Sequence, residues 1–127
     1  TLDLDGSLNP DFIQDARLPL PTGFSHEPTG GREMPWRALL ADPPYSAADA
    51  GHYRVGPSAL PSASALVRHM LAVVPPGHRV GILHLEIPRP PTRAVFVACI
   101  GVVMGFGNMG RWFTVFERER DAGDLSA

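Results

Sequence analysis

Hydrophobic and polar positions organise the second half of this chain far more tightly than the first. Across residues 62–74, Leu66, Val67, Met70, Leu71 and Val74 recur at the i, i+1, i+4, i+5, i+8 spacing of one apolar helical stripe. Pro61 precedes the segment, Ser62 or Ser64 can cap it, and Pro75-Pro76-Gly77 ends it. The spacing predicts a helix. Residues 79–87 then alternate as a strand does. Leu83, Leu85 and Ile87 share one face, and Val80, Ile82, His84 and Glu86 share the other. Pro88-Arg89-Pro90-Pro91 cannot pair regularly and reads as a connection.

The next stretch supports two readings. Residues 94–106 carry no charge, residues 105–110 are glycine-rich, and residues 112–116 are aromatic and β-branched. As a hairpin, residues 93–104 form a strand apolar on both faces, hence a central one. Gly105, Gly107 and Gly110 supply the turn, and residues 111–119 return. As a membrane span, residues 94–116 form one helix with Gly101 and Gly105 on a packing face. That helix would bury Asn108 and Arg111 at a cost of about 2–3 kcal/mol each. The clustered glycines and these two polar residues favour the hairpin. A single-span membrane subunit through 94–116 is the lesser alternative.

Residues 1–61 are rich in Pro and Gly, as in Leu18-Pro19-Leu20-Pro21 and Asp42-Pro43-Pro44-Tyr45, and only weakly periodic. Phe12, Phe24, Trp36, Leu39, Tyr45 and Tyr53 nevertheless give this half apolar anchors. It reads as an irregular arm that packs on its own core or on a partner. Short helical turns are expected at 11–16 and 36–41, and a short strand at 52–55. The expected fold class is α+β: one helix packed on a three- to four-stranded antiparallel sheet, preceded by the long arm. The expected organisation is an arm (1–61), a small core (62–120) and a flexible tail (121–127).

Composition narrows the chemistry. The chain has 127 residues, 44% of them hydrophobic and 19% charged, which is enough for one domain with a real core. Its net charge of -2 and scattered arginines give no electrostatic footprint for nucleic acid. All 11 basic residues are Arg, so Schiff-base and P-loop-lysine mechanisms are excluded within the chain; the bias suggests a GC-rich bacterial source. Cys99 stands alone in an apolar run, which excludes an internal disulfide. The chain starts at Thr1 without Met, which implies a removed N-terminal segment, and no signal peptide is visible. A cytoplasmic setting is expected.

The candidate site is a face rather than a motif. His84 and Glu86 project from one side of the predicted strand and could form an acid–base pair or, with His78, ligate a metal. A third ligand would come from His26, Glu27, Asp49 or His52. The competing reading is a solvent-facing pair or one lying beneath the arm. No cofactor is predicted. Asp3-Leu4-Asp5-Gly6-Ser7-Leu8 resembles the DxDGxL nucleophile motif of the haloacid-dehalogenase phosphatases. Only Thr1 and Leu2 precede it where that family has a buried strand, so the family's role is not carried onto Asp3 or Asp5. An EF-hand reading of the same residues lacks an acidic ligand at Phe12. Gly105-x-Gly107-x-x-Gly110 matches a dinucleotide fingerprint in letters but precedes a strand.

Two functions follow as expectations. The first is a non-catalytic interaction or assembly module, an accessory subunit or homo-oligomer, with Trp36, Arg37 and Tyr45 as partner-binding residues because such residue types dominate interface hot spots. The second is a small-molecule-binding domain or enzyme with its site on the His84/Glu86 face.

Overall fold

A computed structural model of the chain describes residues 2–3, 12–13, 18–20, 38–43, 46, 60, 62–103 and 110–120. The elements are β1 (Leu2–Asp3), β2 (Phe12–Ile13), β3 (Ala38–Ala41), α1 (Ala63–Val73), β4 (Arg79–His84), β5 (Ala94–Val103) and β6 (Gly110–Arg118). β1 and β2 form a small parallel pair. The other four strands form one sheet in the order β3-β4-β6-β5. One helix on a four-stranded sheet is the expected α+β class. The sheet is mixed, since β3 runs parallel to β4 while β6 runs antiparallel to both β4 and β5.

The helix forms where its stripe predicts. Ser62 caps it, its hydroxyl accepting from the Ala65 amide at 3.1 Å. Ala63, Leu66, Val67, Met70 and Leu71 are buried, and Val74 closes the end. This stripe lies on Leu39, Val80, Ile82 and Phe116, which complete the core. Each fully buried aliphatic or aromatic side chain here contributes roughly 1.5–3 kcal/mol. The last turn of α1 has no basic residue of its own. Arg118 of β6 supplies one: its Nη1 donates to the carbonyls of Val74 (2.8 Å), Ala72 (3.3 Å) and Leu71 (3.4 Å). The carboxyl end of α1 therefore sits beside the start of β4, and its amino end points to the edge where β3 and β4 finish.

Three expectations change besides the antiparallel sheet. Residues 38–41 are a strand and not a helical turn, because parallel pairing with β4 in the register Leu39↔Val80 puts Leu39 into the core. Phe12–Ile13 is likewise a strand paired with Leu2–Asp3, inside the segment expected to turn helically. β5 is an edge strand and not a central one; β6 takes the central place, and Val95, Phe96, Val97, Ile100 and Val103 stay exposed. The hairpin itself stands, with Ile100↔Phe113 and Cys99↔Thr114 in register and a bulge between Phe96 and Ala98. Residues 94–103 and 110–118 are thus strands, and no helix among the described residues is long and apolar enough to cross a membrane. The expected turn glycines Gly105 and Gly107, the strand at 52–55 and the tail at 121–127 lie outside the described residues.

Candidate site at the carboxyl edge of β3 and β4

Parallel pairing of β3 with β4 brings the carboxyl ends of both strands to one edge of the sheet. In open α/β sheets, ligand sites lie outside the carboxyl ends of parallel strands. Here those ends carry Asp42-Pro43 after β3 and His84-Leu85-Glu86 at the end of β4. The register Ala41↔Ile82, carried one step on, sets Asp42 level with Leu83. Neighbouring strands lie about 4.8 Å apart, so the Asp42 and His84 backbones stand roughly 6 Å from each other. Asp42 is exposed and Pro43 half-buried.

His84 belongs to the helix-facing side of β4, with Val80 and Ile82, and only 9% of it is exposed. The solvent-facing option for the pair therefore fails for His84, which lies on the buried side of the sheet. Glu86 lies past the end of the strand and is exposed. Its link to the imidazole is through the backbone: the Glu86 amide donates to His84 Nδ1 at 3.1 Å. Burial lowers the His84 pKa from 6.5, and the nearby Glu86 charge opposes part of that shift. A neutral imidazole with Nδ1 as acceptor carries its proton on Nε2. The His84 ring thus holds a tight turn, and the Glu86 side chain is exposed at the rim.

His78 does not join them. It sits before the first residue of β4, where its Nδ1 lies 3.4 Å from the Pro76 carbonyl oxygen. Six residues of strand separate it from His84, about 20 Å. Among the described residues no three His, Cys, Asp or Glu side chains converge as metal ligands. His26, Glu27, Asp49 and His52 lie outside the described residues, as do Trp36, Arg37 and Tyr45. Cys99 is half-buried on β5, 3.7 Å from the Thr114 hydroxyl.

Asp42 and Pro43 are the site residues that pattern reading passed over. The available signal was an acidic residue and two prolines directly after the apolar segment 38–41, which read as turn composition alone.

No protein-family model matches the chain, and no curated protein matches it. Among solved structures it is similar to TrmN from Thermus thermophilus, at 23% identity and a TM-score of 0.53, over 83% of this chain and 27% of that one. The likeness is one of fold. The chain spans about a quarter of the length of that protein.

Proposed function

We propose that the carboxyl edge of β3 and β4 binds a planar aromatic amine of nucleobase size and serves group transfer to its amino nitrogen. The observation behind this is the delivery of Asp42-Pro43 to the open end of a parallel strand pair, beside the His84 turn. Chemically, the segment Asp42-Pro43-Pro44-Tyr45 is almost purely an acceptor. Its two prolines have no N–H, its carbonyls and the Asp42 carboxylate accept, and a tyrosine follows them in the sequence. An exocyclic amine is the matching ligand: two N–H donors on a flat ring. Enzymes that act on a nucleobase hold it in this way, by hydrogen bonds to its edge and by stacking on aromatic side chains.

Acceptors placed on both N–H groups raise the electron density of the nitrogen and turn it into a nucleophile. The nitrogen attacks an electrophilic carbon, in the simplest case a methyl group on a good leaving group. The N–C bond forms, the leaving group departs with its electron pair, and an amine proton passes to Asp42 or to water. A net charge of -2 suits recognition of a single ring rather than a phosphate backbone. A cytoplasmic setting accords with the lone thiol of Cys99.

Calorimetric titration with adenosine and cytidine, against inosine and uridine, tests this reading. The amine-bearing nucleosides should bind at least about 10-fold tighter, a difference of about 1.4 kcal/mol. Asp42→Ala should erase the preference. Equal binding of amino and oxo rings, or an unaltered preference in Asp42→Ala, rejects it.

The assembly role is a second reading. It is favoured by Leu40 and Ile100, 75% and 55% exposed on the sheet face opposite α1. Trp36, Arg37 and Tyr45 are its proposed contact residues.

A further inference from the structure

We infer that the outer edge of β5 is a dimerisation edge, pairing antiparallel with β5 of a second copy to continue the sheet across a two-fold axis. β5 has ten residues, no charge and no proline. It stands at the end of the sheet, and among the described residues no strand pairs its outer side. Every second backbone N–H and C=O of this strand therefore faces outward. Isolated proteins blunt such edges with lysines, prolines, inward charges or short strands. β5 has one such device, the bulge between Phe96 and Ala98, and it leaves Ala98–Val103 regular.

The side chains agree with the backbone. Val95, Phe96, Val97, Ile100 and Val103 are 39–77% exposed, on both faces of the strand. At roughly 150–200 Å² each, they leave about 400–500 Å² of apolar surface on the two faces of this strand. One side of a standard interface covers about 800 Å², a little over half of it apolar, or about 450 Å². The strand thus carries the apolar area that one partner of a stable dimer needs.

The composition of β5 also selects its occupant. The matching strand must be long, uncharged and apolar on both faces. Among the described strands β5 alone has those properties; β4 begins with Arg79 and β6 contains Arg111, Glu117 and Arg118. Antiparallel self-pairing is isologous, so one surface satisfies both sides of a two-fold interface. With no charge on the strand, self-pairing sets no like charges opposite each other.

Sedimentation velocity across a concentration series, joined to amide hydrogen exchange on the intact chain, tests the proposal. A dimer of micromolar or tighter affinity is expected. Exchange in the dimer should slow at the alternate amides of β5 that face away from β6. Ile100→Lys and Val97→Lys, both at exposed positions, should weaken association at least about 10-fold, since an edge lysine blocks strand pairing. An unchanged far-ultraviolet spectrum and melting temperature keep loss of folding apart from loss of pairing. A monomer at all concentrations overturns the proposal and leaves the edge to a different protein. So does a dimer in which the outward amides of β5 exchange as fast as in the monomer, which would place the contact on a sheet face.

Discussion

Arg118→Met should be among the most damaging single substitutions outside the apolar core. The side chain of Arg118 crosses from β6 to the end of α1 and donates to three carbonyls that the helix leaves unpaired. All three bonds come from Nη1, which has two hydrogens, so they are shared and do not sum. A charged hydrogen bond to a partly buried carbonyl is worth about 1.5–3 kcal/mol, and the charge at a helix carboxyl terminus adds roughly 0.3–1 kcal/mol. Methionine keeps the apolar stem, which separates lost packing from lost bonding. A loss of about 2–3 kcal/mol is expected. In a chain of this length, about 3–4 °C of melting temperature goes with each kcal/mol, so the fall should be on the order of 10 °C. Lysine keeps the charge but presents a single point of contact, and Arg118→Lys should recover about half of the loss. Urea unfolding followed by circular dichroism measures both variants. If Arg118→Met unfolds within about 0.5 kcal/mol of the parent, a value typical of neutral surface changes, the bridge contributes nothing and the reasoning is wrong.

Two further predictions concern the sheet and the site. A methyl group at Gly81 would lie 2.7 Å from Phe113 Cζ and 2.9 Å from Leu40 Cδ2. Gly81→Ala should therefore cost about 1–2 kcal/mol through overpacking, seen as a lower urea midpoint at unchanged slope, and Phe113→Leu in the same chain should recover part of it. His84 has a lowered pKa in the folded state, so its contribution to stability is complete above the unfolded value of 6.5 and is lost as pH falls through 6.5 toward the folded pKa. The melting temperature should decline over that window and do so less in His84→Gln, which does not titrate; parallel pH curves for the two proteins would contradict the assignment.

Much of the scaffold is legible in the amino-acid pattern, and what is not has a common cause. α1 is readable because its stripe, its Ser62 cap and its proline stop agree. The β5–β6 hairpin is readable because Asn108 and Arg111 interrupt any membrane span. β3 is different: Ala38-Leu39-Leu40-Ala41 consists of strong helix formers, and four residues show no period. Parallel pairing with a strand about 40 residues away overrides that propensity. The same long-range pairing creates the carboxyl edge, so the nearness of Asp42 to His84 was hidden as well. β5 was misplaced for a related reason. A strand apolar on both faces is normally covered on both, and a sequence does not say whether its cover lies within the chain.

The connection after β4 shows what the run Pro88-Arg89-Pro90-Pro91 achieves. β4 and β5 both run antiparallel to β6, so they are parallel to each other, and the chain must return from one end of the sheet to the other between them. Such returns usually take a dozen or more residues and include a helix. Residues 85–93 provide nine. The straight-line path is about 22 Å, six residues along the strand and two strand spacings across. An extended polyproline-like segment over the ten steps from His84 to Ala94 reaches roughly 31 Å. The excess length is taken up in the bend at 85–86 and the turn at 92–93, where Arg93, with φ of 65°, directs the chain into β5. The prolines stiffen the segment, which limits how far β5 can shift along β6. A chain shortened there could not slide into a neighbouring register without turning the faces of β5 over.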